Sequence, residues 1–274
     1  GAGVDILTGG AGADIITGGG AADTITGGDG ADTITGGAGN DIIDSGAGAD
    51  IIIITASGEA DSDVIDGGAD SDVLKLSTGS ADTFSTDNKL VNIETLQAHA
   101  SGSQVVLTGQ TEAFTITGGA SADNITGGAG NDILTGGGGA DIITGGAGLD
   151  NLEGGSGNDT FKIDAAYDTV TDLGGGSGTD SDIVVVTNVA ILNATGMIGF
   201  TATSGTSNAG TATFNLKAGG IRTLDLSAAT GAGSFILKGN SGKDSITGTA
   251  GADTINAGAG ADIITIGTAG HGNS

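Results

Sequence analysis

Aspartate recurs at every ninth position through long stretches of this 274-residue chain. The period is kept through three arrays and through one degenerate pair between the first two arrays. The sixteen aspartates in this register are Asp5, Asp14, Asp23, Asp32, Asp41, Asp50, Asp63, Asp72, Asp123, Asp132, Asp141, Asp150, Asp159, Asp244, Asp253 and Asp262. A fixed period of this kind predicts a repeat architecture, in which similar small units stack and bury their apolar residues against their neighbours.

Each unit reads Gly-Gly-x-Gly-x-Asp-x-U-x, where U is a large aliphatic residue, as in the stretch from Gly9 to Thr17. Glycine allows positive φ and close backbone approach, so the first six residues are predicted to form a turn. The last three are predicted to form a short strand with the U side chain inside, because side chains alternate between the two faces of a strand. The predicted inward residues are Leu7, Ile16, Ile25, Ile34, Ile43, Ile52, Ile125, Leu134, Ile143, Leu152, Phe161, Ile246, Ile255 and Ile264.

The composition leaves little material for a conventional core of large side chains. Glycine accounts for 58 residues and aromatic residues for 3%, and the chain has no Pro, Cys or Trp. The absence of cysteine excludes disulfides, thiolate zinc sites and thiol catalysis. A fold of this composition needs a source of stability other than a large apolar core.

The chain is strongly acidic, with 33 acidic and 7 basic residues and a formal net charge of −26. Nucleic acids and anionic membrane surfaces would repel it, so cations are expected as partners and nucleic acids are not. Direct membrane insertion is not expected, because the longest apolar runs, such as Ile51–Ile54, are far shorter than the roughly 20 residues of a membrane span. A chain that begins at Gly1 without a basic and apolar leader is expected to be a processed product or part of a longer protein.

The nonapeptide unit resembles the RTX (hemolysin-type) family of calcium-binding repeats, and about sixteen units cover roughly half of the chain. The resemblance implies an all-β fold, a right-handed parallel β-roll or β-helix solenoid, with two units per coil and with β-rich spacers between the arrays. Turns on the same edge would then be two units apart and would hold Ca²⁺ between them.

The resemblance also implies that each ion is held by two aspartate carboxylates and by about four backbone carbonyls. One such site would take its oxygen atoms from Asp14, Gly10, Gly12, Asp32, Gly27 and Asp29. The backbone ligands implied along the whole chain are Gly1, Gly3, Gly10, Gly12, Gly18, Gly19, Gly20, Ala21, Gly27, Gly28, Asp29, Gly30, Gly36, Ala38, Gly119, Ser121, Gly128, Gly130, Gly136, Gly137, Gly138, Gly139, Gly145, Ala147, Gly154, Ser156 and Gly242. A shell of oxygen atoms suits Ca²⁺, whereas Mg²⁺ requires tighter geometry and soft metals lack their preferred ligands here.

Aspartates one coil apart would complete the calcium sites in pairs. The eight full pairs are Asp5–Asp23, Asp14–Asp32, Asp23–Asp41, Asp32–Asp50, Asp123–Asp141, Asp132–Asp150, Asp141–Asp159 and Asp244–Asp262. About eight ions would supply roughly +16 against the net charge. One aliphatic residue in nine cannot offset the ordering entropy of so much glycine, so folding is predicted to be coupled to calcium binding.

Changes in composition divide the chain into five predicted segments. They are a calcium β-roll array at residues 1–75 with a degenerate end at 56–75, a β-rich spacer at 76–113, a second array with a terminal segment at 114–183, a spacer at 184–237, and a third array at 238–274. The tetrads Ile93–Leu96 and Ile221–Leu224 precede the second and third arrays and indicate a super-repeat of about 128 residues. This alternation resembles bacterial surface-layer proteins and RTX adhesins.

Three features allow more than one interpretation. Asp61 and Asp70 replace the position-four glycine, which puts the degenerate sites at Asp63 and Asp72 in question. The end of the second array carries four further aspartates that either hold an irregular calcium ion or form a metal-free cap: Asp168, Asp172, Asp180 and Asp182. Isoleucines at position seven should point outward and pack either against another module or subunit or against the chain's own spacers. They are Ile6, Ile15, Ile42, Ile51, Ile133, Ile142 and Ile263.

No motif in the sequence indicates catalysis, and an enzyme is not expected. The chain has two histidines, His99 and His271, and it lacks a zinc-peptidase helix motif, a phosphate-binding loop and a nucleophile elbow. The sequence predicts a secreted calcium-binding structural protein, a subunit or segment of an extracellular surface layer or filament at the cell surface. It is expected to be exported by type I secretion and to self-associate into an oligomer, lattice or filament. The alternative is the C-terminal RTX secretion and folding domain of a secreted toxin, hydrolase or adhesin.

Overall fold

The computed structural model describes residues 1–55, 62–77, 81–164, 168–173, 182–187, 191–197, 199–202, 206–216 and 222–266. These residues form 29 β-strands, and no helix occurs among them, so none is present there that could cross a membrane. The chain divides into two compact units, Gly1–Leu134 and Thr135–Ser274. The predicted all-β class with parallel, stacked strands is confirmed.

The first unit consists of parallel strands arranged in three sheets. The strands are β1 (Ile6–Ala11), β2 (Ile15–Gly20), β3 (Thr24–Asp29), β4 (Thr33–Ala38), β5 (Ile42–Ala47), β6 (Ile51–Ile54), β7 (Val64–Asp66), β8 (Val73–Leu76), β9 (Ala81–Thr83), β10 (Leu90–Val91), β11 (Thr95–Gln97), β12 (Gln104–Val106), β13 (Thr115–Thr117) and β14 (Asn124–Thr126). Their order is β1-β3-β5-β7-β10 in one sheet, β2-β4-β6-β8-β11-β13 in another and β9-β12-β14 in the third. Odd and even repeats thus alternate between two sheets, as expected for two nonapeptides per coil.

The second unit follows the same plan. Its strands are β15 (Ile133–Gly138, which begins just before the boundary), β16 (Ile142–Thr144), β17 (Asn151–Ser156), β18 (Thr160–Ile163), β19 (Asp168–Val170), β20 (Ile183–Val186), β21 (Ile191–Met197), β22 (Gly199–Thr201), β23 (Ser207–Asn208), β24 (Thr211–Leu216), β25 (Arg222–Asp225), β26 (Ser234–Lys238), β27 (Asp244–Thr247), β28 (Thr254–Asn256) and β29 (Ile263–Thr265). They are ordered β15-β17-β19-β21-β24-β26-β28, β16-β18-β20-β23 and β22-β25-β27-β29.

Within each unit, the register shows that the spacer forms longer coils stacked in the same sheets as the repeats. Within the arrays each strand pairs with the strand two nonapeptides later, as Ile6 does with Thr24. Beyond β6 the step lengthens, because Ile51 pairs with Val73 and Ile65 pairs with Leu90. The prediction that the spacers form further β-strands is confirmed, and these strands extend the sheets that the nonapeptides begin.

Many repeat strands are longer than predicted. Strands β1 to β5 each span six residues and include the first residues of the following unit, most of which are glycines. The predicted three-residue strand is therefore wrong for these units, although it holds for β13, β14, β16, β28 and β29. Glycine permits this extension because the backbones of adjacent coils can approach where no Cβ intervenes.

The inward stack of aliphatic residues is confirmed in the interior of the sheets. Ile25, Ile34 and the other predicted inward residues from Ile43 to Ile246 are buried. The prediction is wrong for Ile264, which is exposed on the edge strand β29, and the inward residues of the edge strands β1, β2 and β28 are only partly buried. An edge strand lacks the neighbouring coil that would cover its inward side chain.

The phenylalanines are concentrated in the core. All six of them are buried. Three form a packed row in a spacer, with ring centroids 5.7 Å apart for Phe200 and Phe214 and 5.9 Å apart for Phe214 and Phe235. The spacer therefore has a larger apolar core than the nonapeptide arrays.

Gly10 and Gly28 occupy the same position of successive coils and have the same φ of +117°. A Cβ added at Gly28 would overlap the carbonyl oxygen of Gly10, whereas a Cβ added at Gly10 would meet nothing within 4 Å. We expect Gly10→Ala to lower the free energy of unfolding by about 1–2 kcal/mol through backbone strain alone. Gly28→Ala should cost more, because the coils must also move apart.

Urea unfolding of the calcium-loaded chain measures both substitutions, and Gly10→Ala serves as the control with identical φ. Equal losses for the two variants would contradict the close stacking of the turns.

Candidate metal centre

The periodic aspartates lie at the starts of strands and link adjacent coils. The backbone N–H of Asp14 donates to Oδ1 of Asp32 at 2.8 Å, and the N–H of Asp32 donates to Oδ1 of Asp50 at 2.7 Å. The same contact, at 2.8 Å, joins Asp5 to Asp23 and Asp23 to Asp41. We call these two lines of carboxylates, one on each edge of the coils, the aspartate ladders.

The ladders continue into the degenerate repeats. Asp41 N–H donates to Asp63 Oδ1 and Asp50 N–H to Asp72 Oδ1, both at 2.8 Å and across 22 residues. Asp63 and Asp72 are buried, so both keep the position of the consensus aspartate. Asp70, which replaces a glycine ahead of Asp72, has a positive φ of +83°. Asp61 lies outside the described residues.

Glu94 is a ladder residue that the periodicity did not reveal. Its Oε2 accepts the backbone N–H of Asp72 at 2.8 Å. The tetrad Ile93–Leu96 carried a sequence signal for this role of Glu94. Glu94 directly precedes a strand, and the second residue of that strand, Leu96, is buried like the U residue of a repeat. The tetrad is therefore part of a coil, and its glutamate stands where the repeats have aspartate.

The second unit has ladders of its own. The N–H of Asp141 donates to Asp159 at 2.8 Å, and the N–H of Asp159 donates to Asp182 at 2.9 Å. Asp150 N–H likewise donates to Asp168 at 3.2 Å. In the third array, Asp244 N–H donates to Asp262 at 3.0 Å.

Of the four additional aspartates at the end of the second array, the three that the structure describes have different hydrogen-bond partners. Asp168 and Asp182 are ladder residues, whereas Asp172 accepts the N–H groups of Gly154 at 3.0 Å and Gly155 at 2.6 Å. Asp172 thus caps a turn of the preceding coil, and Asp180 lies outside the described residues. In the described part of the chain, no three His, Cys, Asp or Glu side chains form a cluster that could hold a metal. Any site there must therefore combine fewer carboxylates with backbone oxygens.

The second oxygen of the ladder carboxylates is the feature that fits a cation. Oδ2 of Asp14, Asp23, Asp32 and Asp41 is buried and has no hydrogen-bond partner. It lies against the first glycine of its own turn, since a Cβ at Gly9 would be 2.7 Å from Asp14 Oδ2. A buried, unpaired anionic oxygen is costly, and a hard cation with oxygen ligands would satisfy it.

The backbone carbonyls named as ligands lie in the same turns, and several already accept hydrogen bonds between coils. The Asp29 carbonyl accepts the N–H of Gly12 at 2.6 Å, and that of Ser156 accepts the N–H of Gly139 at 2.8 Å. A carbonyl oxygen has a second lone pair, so these bonds are compatible with metal binding. The complete ligand set stays a prediction.

Burial raises the pKa of several ladder carboxyls. It does so for Asp41, Asp50 and Asp123, and it raises the pKa of Asp72 to about 6 and that of Asp159 and Asp168 to about 7. Loss of water around the charged form is the main cause in every case, and neighbouring carboxylates such as Asp182 beside Asp159 add to it. The backbone N–H that each carboxylate accepts opposes the shift. Burial thus disfavours the charged form of these six carboxyls.

The sequence comparisons agree with this geometry. Residues 1–34, 17–52, 55–80, 115–143, 126–161, 135–169 and 236–268 match the RTX calcium-binding nonapeptide repeat, and the matched segments cover more than half of the chain. The chain belongs to this family. Its RTX repeats bind Ca²⁺. No curated protein gives a significant match to the chain.

The residues of this RTX chain are suited to binding Ca²⁺. The unpaired Oδ2 atoms of the ladder aspartates and the turn carbonyls would hold it, and it would supply the positive charge that the buried carboxylates lack. Each interior ladder residue faces a carboxylate on both sides, as Asp32 does with Asp14 and Asp50.

Replacing an interior ladder residue should therefore weaken calcium binding more than replacing a terminal one. Asp32→Asn keeps an oxygen that accepts the Asp14 N–H but removes a charge shared by two predicted sites. Asp5→Asn removes a charge from only one predicted site. We expect a larger rise in the calcium midpoint of folding, followed by circular dichroism, for Asp32→Asn. Equal midpoints for the two variants would refute the pairing of turns from adjacent coils.

The raised pKa values predict opposite pH effects with and without metal. In chelator, the folded state binds protons more tightly than the unfolded chain, so stability should fall as pH rises from about 4 through the folded pKa of about 7 at Asp159 and Asp168. With calcium, acidification should weaken the fold, because protons compete for the ligands.

The folded fraction, followed by β-type circular dichroism from about pH 5 to about pH 8 in both conditions, checks this: in chelator the signal should grow as pH falls. Asp159→Asn and Asp168→Asn should flatten the metal-free dependence, and Asp44→Asn, at an exposed position, is the control. A β signal in chelator that grows as pH rises would contradict the assignment.

Proposed function

We propose that this RTX chain is a secreted structural protein that calcium folds and rigidifies, and that it forms a subunit or segment of an extracellular surface layer or filament. The observation that carries the proposal is the pair of aspartate ladders, in which the buried Oδ2 atoms of Asp14, Asp23, Asp32 and Asp41 have no hydrogen-bond partner. Lys75 is the first basic residue of the chain, and every charged side chain before it is acidic. Repulsion of this kind keeps a metal-free chain open and makes the ion part of the fold.

Calcium dependence of this kind suits a protein that is exported before it folds. A chain in a compartment poor in calcium would stay unfolded and could be threaded through a type I secretion channel. Outside the cell, calcium would complete the coils, and no disulfide has to form because the chain has no cysteine. The chain also has no proline, so no slow X-Pro isomerisation delays this step.

Exposed isoleucines support the association of copies. Ile6 and Ile15 are 84% and 87% exposed, and three further position-seven residues, Ile42, Ile133 and Ile263, are also exposed. The other two, Ile51 and Ile142, are only partly exposed. Ile6 and Ile42 lie on one sheet, and Ile15 lies on another. Large exposed aliphatic side chains are typical of sites that bind other proteins. Lateral packing of one copy on another would cover them.

Calcium titration of the metal-free chain should give a cooperative gain of β-type circular dichroism with several ions bound per chain. Electron microscopy of the same samples should show sheets or fibres with millimolar Ca²⁺ and dispersed chains with chelator. Mg²⁺ at the same concentration is the control, since it fits such oxygen sites poorly.

A double variant separates folding from assembly. Thr24 lies between Ile6 and Ile42 on the same sheet, one coil from each. Ile6→Thr with Ile42→Thr introduces the residue that this surface already has there, so the dichroism change should be kept while assembly is lost. Calcium-loaded wild-type chains that fold but stay monomeric would favour the secretion and folding domain of a toxin, hydrolase or adhesin. A spectrum that calcium leaves unchanged would refute coupled folding itself.

A further inference from the structure

The turns of the repeats occur in two conformations. In the turn that ends at Asp32, the glycines at positions two and four, Gly28 and Gly30, have φ of +117° and +123°, and Asp32 Oδ2 has no hydrogen-bond partner. We call a turn with these properties open. In a turn that we call closed, the backbone N–H at position two donates to Oδ2 of the turn's own aspartate. A closed turn therefore satisfies the oxygen that an open turn leaves for a cation.

Four described turns after the spacers are closed, and they are the first two of each array there; at the start of the chain the Gly1 ammonium group lies 3.0 Å from Asp5 Oδ2 in the same way. The donor and acceptor pairs are Gly119 to Asp123 at 2.7 Å, Gly128 to Asp132 at 2.9 Å, Asn240 to Asp244 at 2.8 Å and Thr249 to Asp253 at 2.7 Å. None of the four donors, all of which the structure describes, has positive φ. The backbone conformation at position two thus distinguishes the two kinds of turn.

The closed turns of the third array are fixed by side chains as well. Asn240 Nδ2 donates to Asp244 Oδ1 at 3.1 Å, so one residue donates to both oxygens of Asp244. Thr249 Oγ1 donates to Asp253 Oδ2 at 2.9 Å in addition to the backbone N–H. Oδ1 of Asp253 has no partner, so Thr249 is the residue that orients this carboxylate. A β-branched residue such as Thr249 adopts positive φ only at a cost, whereas the open turns have glycine at position two.

The charges of the third array also indicate a weaker dependence on cations. The third array, residues 238–274, contains two basic and three acidic side chains, whereas every charged side chain before Lys75 is acidic. The two basic residues are Lys238 and Lys243. Lys243 lies in the turn that ends at Asp244 and is exposed. The third array therefore has much less of the uncompensated repulsion that makes the first array depend on cations.

We propose that Asn240 and Thr249 take the place of a metal ion in the turns that end at Asp244 and Asp253. This part of the chain then keeps its order at calcium concentrations at which the first array is unfolded. The proposal rests on the calcium binding of the open turns and adds that the third array does not require it. Among the predicted pairs, Asp244–Asp262 then holds no ion in the wild-type chain.

Hydrogen exchange read by mass spectrometry on the full chain tests the proposal, with calcium titrated from excess chelator. Peptides from residues 239–256 should exchange about tenfold more slowly in chelator than peptides from residues 9–50. Protection of the first array should appear only as calcium rises. Loss of protection in both regions at one common calcium midpoint would overturn the proposal while leaving calcium-coupled folding intact. Exchange that calcium changes nowhere would instead refute the function proposed above.

Two double variants test the assigned residues. Asn240→Gly with Thr249→Gly restores the consensus at position two and should make protection of residues 239–256 depend on calcium, with at least one further ion bound per chain. Ser241→Gly with Ala250→Gly adds the same number of glycines at exposed positions of the same turns and should behave as wild type. Equal behaviour of the two double variants would show that Asn240 and Thr249 do not hold these turns.

Discussion

The buried aspartate carboxylate at the start of each coil is the interaction on which the structure depends. Its first oxygen accepts a backbone N–H from the preceding coil, which links successive coils at 2.7–2.8 Å in the first array. Its second oxygen is enclosed by glycine backbone and has no protein partner at Asp14, Asp23, Asp32 and Asp41. One side chain therefore provides both a link between coils and an unbalanced negative charge. The calcium binding of the family follows from the second of these properties.

The spacers show how the same architecture continues where calcium repeats are absent. Longer coils replace those of two nonapeptides, and larger buried side chains such as Phe84 and Phe214 replace the single aliphatic residue of a repeat. Glu94, Asp168 and Asp182 keep the hydrogen bond of the ladder in or beside these coils. Apolar burial thus increases where the turns lose their capacity for metal.

The sequence predicted the features that its period controls. Two units per coil determine which aliphatic residues are buried and which aspartates align, and the structure agrees at Ile25, Ile34, Asp23 and Asp32. The six-residue strands were not predicted, because glycine pairs usually end strands and here allow backbones to meet. Glu94 was missed because the coil lengthens to 22 residues there, which removes it from the nonapeptide register.

The closed turns could not be predicted from the consensus alone. Gly119 and Gly128 stand at the same repeat position as Gly28, yet they donate to their own aspartates rather than adopt positive φ. Glycine can take both conformations, so the residue type at position two does not distinguish them. Asn240 and Thr249 do carry a sequence signal, since a side chain at position two restricts the choice.

Unequal coil lengths help a repetitive chain to pair its coils in a single register. Identical coils could skip a neighbour and pair with the next copy at little loss, because every contact would be replaced by an equivalent one. The longer coils beyond β6 have no equivalent elsewhere in the first array, so a skipped coil would leave Phe84 or Leu90 without its cavity. The spacers thereby act as fixed reference points that protect a low-complexity chain from misaligned assembly.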